Sequence, residues 1–424
     1  MITRRLGASA EHPKVLITGG RAPAALELAR LLAAAGCEVH AAESVRHHLC
    51  RVSKAVARSY AVPGPAREPE RFVAALEEIV RREGIAWLIP TCEEIFYVSA
   101  GLERLSRICR VVAPPLEQLR RLHSKWEFIR RAQELGLSVP HTERVSTPQE
   151  WAQFTARIGS VQEEVFRDGY VAKPEFSRFA SKVRIVKPGG REAGVAATER
   201  TRITEEAPTD DFQLEAESYP WVVQQFIPGR TLCTYSIAYE GRLAAHAAYA
   251  ASYAVRGGAS VYFEPLYHSG MLEWVRQFVR MERFTGQIAF DFIETERGEL
   301  HAIECNPRTT GGIHLFRPED GLVSALLQPE ALGESVIEPQ PQTKGMLGLP
   351  MLACGLTGSR SWRAFTAWLS KYAAARDVVF RWSDPRPFGE QLFLLLELRR
   401  AAAARKQTLM EASTGDIEWN GGTS

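Results

Sequence analysis

No stretch of this chain stays apolar for the roughly 18 residues that a membrane-spanning helix needs. The longest apolar run, LFLLLELRR at 392–400, ends in charge and reads as a core or surface helix. The first residues, MITRRLGASAEHPKVLITGG, hold no apolar segment ahead of the first strand, so no export signal is expected. No Cys-x-x-Cys occurs, and seven cysteines (37, 50, 92, 109, 233, 305, 354) lie far apart. An odd, scattered set excludes a disulfide framework and a structural zinc, and free thiols in a reducing cytoplasm are expected. Charge of one sign is also missing: 52 Lys and Arg against 50 Asp and Glu leave a net +2. Binding to nucleic acid or acidic membranes through bulk charge is therefore excluded, and any anion site must be local.

What is present is a soluble globular composition, 45% hydrophobic and 24% charged, in 424 residues. That length exceeds one ordinary core and predicts two to four structural units. KVLIT at 14–18 runs into Gly19-Gly20, a helical pattern follows (Ala24, Leu28, Leu31, Leu32, stopped by Gly36), and EVHAAE is a second strand. A helix over 70–82, Gly84, a strand over 85–90 and the run CRVVAPP repeat the pattern, so residues 1–120 read as a doubly wound α/β unit. Ser124 and Gly136 bracket a helix as cap and stop. Strands follow at 170–174 and in WVVQQFIPG, then at 232–240, 243–250 and 259–264. A helix over 272–283 precedes a strand pair, 286–295 and 299–305. This half reads as α+β with antiparallel strands. Residues 321–424 are rich in Leu and Ala and read as helical, without a motif.

The strand pair ends in ECNPRTTGG at 304–312. With Arg297-Gly298 as a two-residue turn, Asp291 faces Glu304 and Phe292 faces Ile303. Ile288, Phe290, Phe292, Ile303 and Cys305 then form a core side. Asp291, Glu304 and Asn306 share the other side with Ala289, Ile293 and Ala302. Facing carboxylates about 5 Å apart repel by roughly 3 kcal/mol at an effective dielectric near 20. A divalent cation offsets that, and Asp, Glu and Asn oxygens suit Mg²⁺. Two alternatives stand beside this reading. A three-residue bulged loop slips the register by one and removes the facing. A solvent-facing polar side carries two unrelated acids.

Other residues fit a phosphate site. Lys173 closes a strand before Pro, Lys125 opens a helix, QQFIPG sets two amides at a strand edge, and Arg308 follows the acids with a fork suited to a carboxylate or phosphoryl group. Each has an ordinary surface alternative when taken alone. Together, and in this order over about residues 1–320, these pieces resemble the ATP-grasp superfamily, nearest its carbamoyl-phosphate-synthetase and biotin-carboxylase branch. The resemblance implies a Rossmann-like pre-ATP-grasp domain (1–120), a lid subdomain (121–215), a metal and nucleotide subdomain (216–320) and a helical extension (321–424). It implies Asp291, Glu304 and Asn306 at Mg²⁺ or Mn²⁺. Lys125, Lys173, Ser177 and Ser181 would lie at the ATP phosphates, and Gln224, Gln225, Phe226 and Ile227 at adenine. Arg308 and Lys173 would be catalytic. The lid departs from the family: KPEFSRFASKVRIV has no glycine, so hydroxyls of Ser177 and Ser181, or charges of Arg178 and Lys182, would replace backbone N–H groups there.

The resemblance further implies an ATP-dependent carboxylate–amine ligase working through an acyl phosphate, in small-molecule or natural-product biosynthesis, with an amino acid among its substrates. No nucleic-acid partner is expected, and a homodimer is allowed. For the substrate, the sequence offers Arg256 and Ser260 beside a Gly-Gly turn, Arg308, and His314; a solvated loop Arg and a structural His are the plain alternatives. The rival from another class is an NAD(P)-dependent reductase, because VLITGG opens a helix and Glu43 follows about 23 residues on. Against it, G-x-G-x-x-G is absent and no Tyr has Lys four residues later. A non-catalytic nucleotide-binding module is a third reading, which the acids and Arg308 oppose.

Overall fold

The computed structural model describes residues 12–160, 164–177, 183–187, 219–254, 260–358 and 361–422. Its first sheet is wholly parallel, with strands β1 (Lys14–Thr18), β2 (Glu38–Glu43), β3 (Arg58–Ala61), β4 (Trp87–Ile89) and β5 (Arg110–Val111). The order β3-β2-β1-β4-β5 reverses direction at β1, which is the doubly wound arrangement expected. The strands follow the sequence because KVLIT is apolar enough to be covered on both faces: Val15, Leu16 and Ile17 are fully buried. The helix Pro23–Ala34 starts on proline, and Pro69–Glu83 ends on Gly84 at φ +66°. Strand β3 was not anticipated; its RSYA sequence lies at the sheet edge and carries no apolar run. The strand expected over 85–90 is shorter, Trp87–Ile89.

Ser124 accepts from the Glu127 amide and caps the helix Lys125–Glu134, with Gly136 at φ +71° beyond its end. A second, antiparallel sheet runs β6-β9-β7-β8, from β6 (Thr142–Val145), β7 (Tyr170–Pro174), β8 (Arg184–Val186) and β9 (Trp221–Gln225). A third sheet, also antiparallel, is built from β10 (Arg230–Tyr239) and β11 (Arg242–Ala250). The chain leaves it for β12 (Tyr262–Phe263) and the helix Ser269–Met281, then returns as β13 (Gly286–Glu294) and β14 (Leu300–Asn306). Its order is β11-β10-β13-β14. One face packs on the helices Lys125–Glu134 and Ser269–Met281 through Phe128, Trp274, Phe278, Phe290 and Phe292. The other face, through Tyr235, Ile237, Ala245, Ala247 and Tyr249, packs on Ile313, Leu315 and Phe316 in a second core.

Residues after 321 are mainly helical, as expected: Gly348–Gly358, Trp362–Ala374, Arg386–Arg405 and Leu409–Thr414 are helices. Two short strands break the pattern. β15 (Gly345–Met346) joins β12, and β16 (Arg376–Asp377) joins β15. The strand expected at 259–264 is reduced to β12. Residues 384 and 419 pack back on the first sheet and its helices. Arg30 of the first helix grips the Asp384 carboxylate at 2.9 Å, and Trp419 stacks on Phe96 at 4.6 Å between ring centroids.

Candidate active site

The β13–β14 hairpin brings the acids together by an unexpected route. Its loop has three residues, Glu296 to Gly298, with the Thr295 amide donating to the Glu299 carbonyl and Gly298 at φ +80°. Such a loop places Ile293 opposite His301 and Phe292 opposite Ala302, one residue out of the expected register. A bulge between Asp291 and Phe292 then restores it, so Asp291 does face Glu304 and Ala289 faces Asn306. Two sides change as a result. Ala302 lies in the core and Ile303 does not, the reverse of the strict alternation expected.

The Asn306 amide donates to Asp291 Oδ2 at 3.3 Å, and Arg308 Nη2 donates to Asn306 Oδ1 at 2.9 Å. The acids are not equivalent. Burial, and then the Glu304 charge, push the Asp291 carboxyl up to about 6. Glu304 is also raised by burial, but the ammonium groups of Lys125 and Lys173 outweigh that and hold it below the ordinary carboxylate value. Lys125 Nζ is 4.0 Å from Glu304 Oε1. Lys173 is buried and donates to Gln224 Oε1 at 3.1 Å and to the Ile303 carbonyl at 3.2 Å. Desolvation lowers it to about 8, against the pull of Glu304.

Among the described residues, no three His, Cys, Asp or Glu side chains form a ready-made metal cage. Two carboxylates and an amide oxygen suit instead a hard cation that brings phosphate oxygens and water with it. Burial of Asp291 opposite the Glu304 charge, with no ion-pair partner for it among the described residues, is the structural sign that such a charge fits there.

The other expected residues divide. Lys125 Nζ reaches the Ser177 carbonyl at 3.1 Å and its hydroxyl at 3.2 Å, so these two adjoin the acids. Gln224 is turned inward: its oxygen holds Lys173 and its nitrogen donates to Thr142 Oγ1 at 3.2 Å, which leaves it no edge for a base. Gln225, Phe226 and Ile227 are half-buried at the end of β9, and Lys187 Nζ sits 4.8 Å above the Phe226 ring. Ser260 bridges to Ala254, its hydroxyl 2.9 Å from the Tyr262 carbonyl. His314 is not open to a substrate. It is buried with Nδ1 3.3 Å from Glu27 Oε2, and burial lowers its pKa against the pull of that carboxylate. Ser181 and Arg256, with Arg178 and Lys182, lie outside the described residues.

The sequence reading missed two neighbours. Cys233 pairs with Asp291 across β10 and β13. Glu93, fully buried, has a carboxylate oxygen 3.8 Å from Arg308 Nη2. It follows β4 in PTCEE, an apolar strand running into acids as in ECNPR, and that shared pattern was the available signal. The crevice of the rival dinucleotide reading is filled by the protein itself. A Cβ at Gly19 would sit 2.6 Å from Thr91 Oγ1, and a Cβ at Gly20 would sit 2.7 Å from His48 Nδ1. Glu43 takes the Arg21 amide at 2.9 Å and forms an ion pair with its guanidinium, as does Asp416 from the far end of the chain.

No family model matches the sequence, and no curated protein matches it. Solved structures do. An L-amino acid ligase from Bacillus licheniformis is similar at a TM-score of 0.52 and 13% identity, covering 79% of this chain and 79% of its own. The ADP complex of N5-carboxyaminoimidazole ribonucleotide synthetase reaches 0.59 at 12% identity, covering 88% and 98%. The biotin carboxylase domain of a single-chain bacterial carboxylase reaches 0.52 at 16% identity, covering 78% and 73%. At these identities the likeness shows a shared fold and nothing finer.

Proposed function

We propose, from the ATP-grasp fold that this chain shares with those structures, that it is an ATP-dependent ligase joining a carboxylate to an amine. The observation that carries the reading is the Asp291–Glu304 pair, facing each other with Asn306 beside them and two buried lysines around them. Oxygen ligands and lysines converging on one face are what Mg²⁺-ATP requires. The similar structures point the same way, one being an amino acid ligase and another an ADP complex. In this reading residues 1–120 precede the ATP-grasp unit, 121–215 and 216–320 form its two halves, and the remainder is an extension. The protein works in the cytoplasm on small molecules, as a monomer or homodimer; among the described residues no helix is long and apolar enough to cross a membrane.

Asp291, Glu304 and Asn306 would hold Mg²⁺, which neutralises phosphate charge when bound. Lys125, Lys173 and Ser177 orient the phosphates. The chain at Gln225–Ile227 covers the base, while Gln224 serves as the support of Lys173. Arg308 faces the reacting carboxylate. A carboxylate oxygen of the substrate attacks the γ-phosphorus, the bond to the bridging oxygen breaks, and ADP leaves. The neutral amine then attacks the acyl carbon, phosphate departs, and the nitrogen loses its proton as the amide forms. These side chains act mainly by position and charge. The test is an ADP-release screen of carboxylates paired with amino acids and other amines, with Mg²⁺ present. ADP release that needs both partners and is lost in Glu304→Gln supports the reading; an active Glu304→Gln enzyme ends it.

A further inference from the structure

Residues 416–421 run over the C-terminal edge of the first sheet and reach the loop at Phe176–Ser177. The Asp416 carboxylate receives both Arg21 Nη atoms, at 2.7 and 2.6 Å, and its carbonyl accepts from the Ala66 amide at 2.9 Å. Tyr97 Oη donates to the Glu418 carbonyl at 2.8 Å. These bonds fix the tail just before Trp419, which is 4% exposed. The indole stacks on Phe96 at 4.6 Å with 3° between the planes, and meets Phe176 edge-on at 5.5 Å. The His123 ring lies 6.0 Å from Phe176 and 5.0 Å from Phe96. Gly421 completes the cover: at φ +82°, a Cβ on it would stand 2.8 Å from the Phe176 ring.

The two residues that Trp419 touches on the far side are each next to the candidate site. Phe176 precedes Ser177, whose carbonyl and hydroxyl accept from Lys125. His123 precedes Ser124, which caps the helix that starts at Lys125 and donates to the Glu175 carboxylate. Glu175 is itself held by Arg144 at 2.8 Å. The segments carrying Ser177 and Lys125 therefore share one aromatic support, and it comes from the opposite end of the chain. A doubly wound sheet ordinarily keeps this edge open for a ligand; here the protein's own tail occupies it.

We infer that the C-terminal tail positions the ATP phosphate site: Trp419, anchored through Asp416 to Arg21, sets the placement of Phe176–Ser177 and Lys125. Trp419 touches no reacting atom and is a positioning residue. The inference rests on the ligase reading for its nucleotide and on geometry alone for the coupling between tail and loop.

Two measurements test it. In isothermal titration with MgADP, well below each variant's melting temperature, Trp419→Ala should weaken binding about tenfold, and Trp419→Phe, which keeps an aromatic plane, should stay within about twofold of wild type. Phe176→Leu, which removes the contact from the other side, should repeat the loss. If Trp419→Ala only lowers the melting temperature and binds MgADP as wild type does, the tail is a brace and the inference is wrong. Hydrogen exchange without nucleotide decides the coupling separately. Amides of residues 175–177 and 125–128 should exchange faster in Trp419→Ala while those of β10 and β11 do not change; unaltered exchange at 175–177 overturns the inference. A wild type that fails to bind MgADP would sink the ligase reading and leave the exchange result to judge the tail.

Discussion

Two buried charge clusters are built from the same kinds of groups and balanced in opposite ways. Around Glu27 a single carboxylate, inside the protein on its first helix, meets the Arg376 and Arg381 guanidiniums and the His314 ring. Burial alone would raise it, but those partners win and hold it down to about 2. Around Asp291 two carboxylates face each other, and the one pushed up to about 6 has no cation of its own at ion-pair distance among the described residues. The first cluster is complete as it stands. On the proposed reading the second is completed by a bound cation, and that difference would separate a structural network from a binding site more sharply than burial does.

Four substitutions can break or sharpen this contrast. Glu27→Gln removes the one buried anion between two half-buried guanidiniums and should cost roughly 3 kcal/mol in a denaturant melt. Because the folded-state pKa of Glu27 lies below the ordinary 4.5, its stabilisation is present above that pH and lost as pH falls towards 2; the variant should lose that part of the acid sensitivity. Next in size, Glu304→Gln should lower turnover about 100- to 1000-fold, the loss usual for a group that steadies transition-state charge. It should also lower stability, since Lys125 and Lys173 lose their anion.

Asp291→Asn should do the opposite to the fold. Asp291 titrates near 6 in the folded protein against 3.8 unfolded, so its contribution is fully present below pH 3.8 and lost as pH rises through 6. The variant without metal should be more stable than wild type at pH 7, by roughly 1–3 kcal/mol, and no more stable at pH 4. Turnover should be lost nonetheless. A variant less stable at pH 7 would place Asp291 in the same class as Glu27. The smallest effect is expected of Lys173→Met, which should leave the melting temperature near that of wild type and weaken MgADP binding about tenfold in titration calorimetry.

Local pattern carried much of this architecture into view. The strands β1, β2 and β7, the Ser124 cap and the pairing of Asp291 with Glu304 are all legible in runs of fewer than about 25 residues, where period and turn residues speak for themselves. The pairing was nevertheless reached through the wrong turn. Gly298 signals the three-residue loop, whereas Ile303-Glu304 looks like ordinary alternation and gives no sign of a bulge. What stayed hidden depends on distant contacts. His314 reads either as a substrate residue or as a structural one until Glu27, 287 positions earlier, is found against it. Nothing around Trp419 announces that its partners are Phe96 and Phe176. Glu93 lay within reach, had the acids after β4 been weighed as those after β14 were.

The paired irregularities of the hairpin make chain length a control on the site. A straight hairpin with a two-residue turn would also set Asp291 against Glu304, so the longer loop and the bulge are not needed for the acids to meet. What the bulge adds is the Ile303 carbonyl, left out of the strand ladder and accepting from Lys173 at 3.2 Å. Deleting one residue from 296–298 can therefore be absorbed by straightening β14, at the expense of the lysine's anchor. Insertions and deletions in this loop, ordinarily the most forgiving part of a hairpin, here act as a tuning screw that shifts the lysine relative to the acids without moving either acid from its partner.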